Sequence, residues 1–531
     1  MNVGLRHWIA GVALVCASLA APASADAQTH GGSGEPAALV VLLVVDQMIP
    51  DYFDRFGAQL TGGLGRLRRE GAFFTHGMQD HAITQTAPGH STLLSGRPPS
   101  STGIITNDDG VGDARYPLIG APGESGASPR NFNGTALYDW MLARDSGARV
   151  LAVSRKDRGA ILPVGRARAD VYWYARGRFT TSRYYADTLP AWLRAFNDRQ
   201  GVARLAGTRW ELLLPPADYP ERDSMPWERR GRDIGFPHLL PAAAAIDTGV
   251  MLYPWMDSLT LDLALEGVRQ SGVGRRTHPD LLVVSLSTTD KVGHEWGPDS
   301  REMHDHILRL DRWLGRFLDS LGTLVPARRT FVVLTADHGT QAVPEYNREV
   351  RHRPGGRQWL GSYVTEGQAR FDERYRRSFG FRFEYGLLLA DVDALRAFGV
   401  GVDSLAEAWA ADARRKPGVA RVYTPKSLAA APRSDRFAAR WRRAIPPGTG
   451  WLLAAVPTEG VIWSKTGVAN HGSALDADVR VPIIFAGPGI RPGRYDRPVA
   501  TEDIGPTLAA LIGVRPTEPV AGHPIPEVVG R

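Results

Sequence analysis

Cysteine is nearly absent. The 531-residue chain has one, Cys16, which excludes a disulfide framework and any thiolate metal site. Lysine is scarce too: Lys156, Lys291, Lys416, Lys426 and Lys465 are five among 63 basic residues. The arginine clusters RLRR, ERRGR and RWRR are dispersed, and no module interleaves aromatic with basic residues. A nucleic acid partner is therefore not expected. Beyond the N-terminus no run is apolar over the roughly 20 residues that a membrane-spanning helix needs. No internal repeat is visible, and no twin-arginine pair precedes the first apolar segment.

That first segment is distinctive. Arg6 precedes WIAGVALVCASLA, and Ala23-Ser24-Ala25 follows. A positive start, a short apolar stretch and small residues at −3 and −1 are the pattern of a cleaved secretory signal. Residues 1–25 are expected to be removed, taking Cys16 with them. The remaining catalytic domain, 26–531, is expected in the periplasm or the medium without a membrane anchor. A hydrophobic fraction of 43% and a charged fraction of 22% are ordinary for a globular chain. The formal net charge of +7 suits small anionic substrates.

Strands and helices alternate along the chain. LVVLLVV at 39–45, LLVVSLS at 281–287 and FVVLT at 331–335 are apolar and β-branched, as buried strands are. Residues 301–322 place Met303, Ile307, Leu310, Leu314 and Leu318 at helical spacing. The alternation predicts an α/β fold, a mainly parallel sheet covered by helices on both faces. Residues 170–278 and 345–460 have weak periodicity and are expected to be inserted cap or auxiliary segments.

Six residues that can bind metal sit in four short motifs: Asp46 in VVDQM, Asp290 and His294 in TTDKVGH, Asp337 and His338 in TADHG, and His471 in NHGS. Three of these motifs follow predicted strands, and ligands bind at the carboxyl ends of strands in open α/β sheets. Asp-x₃-His also places two ligands on one side of a helix. Carboxylates and imidazoles together suit Zn²⁺ or a similar divalent ion. Thr86, in TAPGHST, would add a hydroxyl beside a helix start, where the dipole favours negative charge. With it, seven ligands divide into two sites, the clamp used for in-line displacement at phosphorus. Local sequence alone favours Thr86 as a simple helix cap. His90 is expected to be a structural hydrogen-bonding group near it. His304 and His306 are expected on the surface or behind the ligands.

DQMIPD, TAPGHST, GIITND, KDRGAILP, TTDKVGH, TADHG and NHGS, in that order, resemble the alkaline phosphatase superfamily. The set is most similar to its secreted phosphate monoesterase branch with a threonine nucleophile, which is related to nucleotide pyrophosphatases/phosphodiesterases. The resemblance implies two Zn²⁺ per chain. Asp290, His294 and His471 would hold one; Asp46, Asp337, His338 and Thr86 the other. It implies that Asn107 hydrogen-bonds a phosphoryl oxygen and that Lys156 and Arg158 mark the monoesterase branch. A monoester carries nearly two negative charges and three free oxygens, so a lysine and a bidentate arginine beside two metals favour it over a diester.

The implied reaction is hydrolysis of small phosphomonoesters to alcohol and phosphate through a phosphothreonine intermediate, by a chain acting as a monomer. The rival enzyme is a phosphodiesterase or nucleotide pyrophosphatase. The rival non-enzyme is a metal- or phosphate-binding pseudo-enzyme, which should lack a ligand or the nucleophile. A sulfatase needs a modifiable Cys or Ser in C/S-x-P-x-R, where this chain has Thr86-Ala87-Pro88-Gly89-His90.

Overall fold

The computed structural model describes residues 35–530 except 359, 465 and 466. The expected signal-peptide segment, residues 1–25, lies outside the described residues. The main sheet takes nine strands: β1 (Leu39–Val45), β2 (Ala72–Met78), β3 (Val150–Ser154), β4 (Asp170–Ala175), β5 (Arg178–Thr180), β6 (Asp280–Leu286), β7 (Thr330–Thr335), β12 (Arg480–Ala486) and β13 (Gly493–Ala500). A separate antiparallel sheet takes β8 (Arg382–Glu384), β9 (Leu387–Leu389), β10 (Val419–Tyr423) and β11 (Trp451–Pro457), in the order β8-β9-β11-β10.

The main sheet runs β13-β2-β12-β7-β1-β6-β3-β4-β5. Five of its eight neighbouring pairs are parallel, including the whole run from β7 to β4. β12 is antiparallel to both neighbours, and β5 closes an antiparallel edge hairpin with β4.

β1 shows why the sheet is covered twice. All seven of its residues are buried. Leu39, Val41, Leu43 and Val45 enter one apolar cluster, whereas Val40, Leu42 and Val44 enter another. Successive side chains of a strand point to opposite faces, so an unbroken apolar strand needs two cores. Full burial of each such side chain contributes about 1.5–3 kcal/mol.

The first face is covered by α1 (Gly63–Glu70), α4 (Trp255–Ser271) and α6 (Arg301–Leu324). The second is covered by α2 (Thr86–Leu93), α3 (Asp157–Ile161) and α7 (Ile504–Leu511). A further helix, α5 (Thr288–Glu295), follows β6 directly. The small sheet repeats the logic, with Leu387 and Leu389 facing one cluster and Leu388 the other. No helix among the described residues is long and apolar enough to cross a membrane.

Candidate active site

Four adjacent parallel strands deliver four functional side chains to one rim. Val44 of β1 lies opposite Thr335 of β7 and Ser285 of β6, and Ser285 lies opposite Ser154 of β3. The carboxyl ends therefore coincide. Just beyond them come Asp337 after β7, Asp46 after β1, Asp290 after β6 and Lys156 after β3. His338 follows Asp337, and His294 lies one turn after Asp290 on α5, with its Nε2 3.1 Å from Asp290 Oδ1. His471 comes from the segment before β12, and its Nδ1 is bonded to the Thr84 carbonyl at 2.7 Å.

All six candidate ligands converge. Asp290, His294 and His471 form a triangle, with His294 Nε2 3.2 Å from His471 Nε2 and His471 Nε2 3.4 Å from Asp290 Oδ1. Asp46 Oδ1 and Asp337 Oδ2 lie 3.3 and 3.6 Å from His338 Nε2. The groups meet at His338, whose ring stacks on His471 at 3.6 Å between centroids. One set of atoms mutually within 4.8 Å joins Asp46, Asp337 and His338; another joins Asp290, His338 and His471.

The donors suit divalent cations. Asp46 Oδ1, Asp337 Oδ2 and His338 Nε2 are buried without a hydrogen-bond partner, and a buried polar atom of that kind needs one. Oxygen and imidazole nitrogen are the ligands that zinc and similar ions take. Three carboxylates around one lysine also make a pocket too negative for a phosphate dianion unless cations enter with it.

Proton affinities record the same crowding. Burial opposes charge on His338, but the Asp337 and Asp46 carboxylates outweigh it and push the imidazole up to about 9. Burial and the neighbouring His338 push His471 down to about 4. Burial opposes charge on Asp290 as well, yet Lys156 and His294 hold it well below the usual carboxylate range.

Thr86 is the first residue of α2, and Gln85 occupies the cap position. The hydroxyl does not cap the helix; its Oγ1 accepts a hydrogen bond from Lys156 Nζ at 3.0 Å. The simple-cap alternative for Thr86 thus fails, because chain entry places the cap one residue earlier. Gly89 lets α2 approach the rim, since a Cβ there would overlap the Asp337 carbonyl. Lys156 also bonds Asp290 Oδ2 at 2.9 Å and pairs with Asp46, so its ammonium bridges the two carboxylates.

Asn107 sits beside the helix start, where its Oδ1 accepts from the Ala87 N–H at 2.9 Å. Arg158 is on the first turn of α3. Its guanidinium pairs with Asp157 at 3.4 Å, and its Nε is buried without a hydrogen bond. His90 is structural, as its sequence context implies: it bonds the Thr86 carbonyl and Ser285 Oγ, both at 2.9 Å, and lies 3.2 Å from Asp337 Oδ2. Neither His304 nor His306 is on the surface. The segment around Trp210–Tyr219 covers a second side of α6, where Trp210 and Tyr219 bond Asp305. His304 stacks on Phe56, while His306 bonds Thr289 beside Asp290 at 2.9 Å.

Two further supports escape sequence reading. Gln47 spans the rim, with its N–H on Asp337 Oδ1 and its Nε2 on Asp290 Oδ1, both at 3.2 Å. Its only local signal is its place directly after Asp46. Asp257, on α4, accepts the Thr288 N–H at 3.1 Å and so fixes the start of α5. No local pattern distinguishes it from an ordinary helical aspartate.

Burial pushes Asp257 up to about 7 from a usual value of 3.8. Its acid form is favoured on folding, so this group's contribution to stability falls as pH rises from about 4 to 7. Asp257→Asn keeps the acceptor and removes the charge. Its stability relative to the parent is expected to rise by about 2–3 kcal/mol between pH 5 and pH 8.5. Urea unfolding at the two pH values measures this; a difference independent of pH contradicts a buried, protonated Asp257.

Residues 40–447 match the family described as type I phosphodiesterase / nucleotide pyrophosphatase. Alkaline phosphatase PhoV of Synechococcus elongatus is 30% identical over 95% of this chain and 97% of its own length. Alkaline phosphatase PhoK of a Sphingomonas species is 32% identical over 93% of this chain and 92% of its own. The crystal structure of alkaline phosphatase PafA superimposes with a TM-score of 0.84 at 26% identity, covering 94% of this chain and all of that one. The matched span and these full-length similarities show that the chain belongs to the type I phosphodiesterase / nucleotide pyrophosphatase family of the alkaline phosphatase superfamily.

Proposed function

We propose that the chain is an alkaline phosphatase, hydrolysing phosphate monoesters through a phosphothreonine intermediate. One observation carries the reading: Thr86 Oγ1, on the first turn of a helix, is 3.0 Å from a buried lysine that bridges two rim carboxylates. Full-length relatives named alkaline phosphatase support it.

Asp46, Asp337, His338 and Thr86 would hold one divalent ion; Asp290, His294 and His471 would hold a second. Both ions are proposed to be Zn²⁺. Bound there, they supply Lewis-acid stabilisation to the attacking and leaving oxygens. The chain's own groups supply the rest. The α2 dipole and the Lys156 ammonium favour Thr86 as an alkoxide. Thr86 Oγ1, its proton lost to solvent, attacks phosphorus in line, forming a Thr–O–P bond as the ester P–O bond breaks, and the leaving oxygen takes a proton from water and departs as the alcohol. The Asn107 amide, Lys156 and Arg158 hold the non-bridging oxygens and offset developing charge. Water then cleaves the Thr–O–P bond, releasing phosphate and restoring the hydroxyl.

The proposal places the mature chain, 26–531, outside the cytoplasm, where it takes small phosphomonoesters as a monomer. Metal analysis of purified protein, with parallel rates on an aryl monoester and its matching diester, tests the function. The expected result is about two zinc ions per chain, the number a two-metal clamp uses. The monoester should turn over much faster, and activity should vanish on chelation and return with zinc. Equal rates on the two esters favour a phosphodiesterase. A zinc-loaded protein that cleaves neither is a binding protein.

A further inference from the structure

We propose that Arg357 is a positioning residue for the second metal ion: it clamps the backbone at 467–468 and so keeps His294 and His471 in their ligand orientations. This rests on the two-metal reading above. The two histidines reach the rim from different segments, His294 from α5 and His471 from the loop before β12. Both are oriented by backbone carbonyls. His294 Nδ1 bonds the Ala469 carbonyl at 3.0 Å, and His471 Nδ1 bonds the Thr84 carbonyl at 2.7 Å. A carbonyl only accepts, so each Nδ1 carries the proton and each Nε2 presents a lone pair. Those Nε2 atoms lie 3.2 Å apart, and two facing lone pairs suit a shared cation. The segment 467–471 therefore serves the ion twice. Ala469 aims His294, and His471 is itself a ligand.

Arg357 holds that segment. Its Nη2 donates to the Val468 carbonyl at 2.7 Å, and its Nη1 donates to the Gly467 carbonyl. Nε and Nη2 also fork onto Glu345, at 2.9 Å to Oε1 and 2.6 Å to Oε2. An arginine–glutamate pair that is 22% exposed on both sides contributes little by itself. Its use here is directional: the fork fixes the guanidinium plane, and the plane aims the remaining N–H groups at two carbonyls. The strand Gly356–Gln358 fixes Arg357 in turn, pairing in parallel with Val461–Trp463 and setting it opposite buried Ile462. Glu345 lies in the first turn of the helix Pro344–Glu349, which follows the ligand pair Asp337-His338 in the chain. Val343, directly before that helix, packs in one apolar cluster with Val468 and Ala469. The clamp thus joins the segment after one ligand pair to the segment that carries His471.

Arg357→Ala is expected to weaken the affinity for one of the two zinc ions about 10-fold, the lower end of what a group behind a metal ligand is worth. Competition with a chromophoric chelator measures both ions. The Tm of the zinc-free protein should stay unchanged, because Val468 and Ala469 remain packed against Val343. At saturating zinc, kcat/KM for an aryl phosphate should return to within about threefold of the parent, a recovery by mass action that a merely structural defect would not show. In a His294→Ala background the same substitution should change the affinity of the remaining ion less than about twofold, because residues of one network are not additive. Arg357→Lys keeps the charge but cannot make the fork and both carbonyl bonds. It should show the same loss, which keeps the test decisive if Arg357→Ala folds poorly. Unchanged zinc affinity, equal weakening of both ions, or the same loss with and without His294 overturns the clamp. A parent that binds fewer than two zinc ions overturns the two-metal reading instead, so the two failures are distinguishable.

Discussion

Replacing Thr86 by alanine is expected to lower monoester turnover by at least ~10⁴-fold and to leave no phosphorylated enzyme. Removing a nucleophile costs that much because the other groups then have only an unpositioned water to assist. The fold should survive. Thr86 is not the helix cap, and its Oγ1 serves Lys156 rather than a backbone N–H. Its methyl and Cβ are buried, so the loss in stability should stay near 1 kcal/mol. Acid-quenched enzyme, digested and examined by mass spectrometry, should carry phosphate on Thr86 in the parent and nowhere in the variant. A chiral phosphate substrate should show net retention from two inversions. Inversion, or full activity in Thr86→Ala, refutes a covalent threonine.

Joint replacement of Lys156 and Arg158 by alanine is expected to cost about 10²–10³-fold in monoester kcat/KM and much less on the matching diester. The dianion gains more than the monoanion from each cation, so losing two cations narrows the gap between the esters. The two residues stand differently. Lys156 is buried and bonded to Thr86 and Asp290, whereas Arg158, among the described residues, pairs with Asp157 and keeps a buried Nε without a hydrogen bond. Lys156→Ala alone should therefore carry the larger share, since it also leaves Asp46 and Asp290 without their bridging ammonium. Equal losses on monoester and diester refute the selectivity role.

Much of the site was legible because its residues follow strands whose composition announces them. LVVLLVV, LLVVSLS and FVVLT are strands within a residue of the expected bounds, and each is followed by its aspartate. Asp290 and His294 share a helix face as their spacing requires. Gln47 and Asp257 were not legible, because both touch the ligand segments only through long-range contacts. The surface alternative for His304 failed for the same reason, whereas His306 takes the other alternative and lies behind Asp290, on Thr289. A helix's second covered side depends on a distant segment, not on its own periodicity.

The sequence by itself determined the residue types of the centre, the strands that end beside them and the absence of thiolate chemistry, since composition and periodicity are local properties. Tertiary structure alone decided that β7, β1, β6 and β3 lie side by side with coincident ends. It also decided that His338 stands between both carboxylate groups and that Lys156 bridges Asp46 and Asp290. Strand order is set by crossover connections, and side-chain convergence by packing across more than a hundred residues of chain. Neither leaves a mark in any short window of sequence.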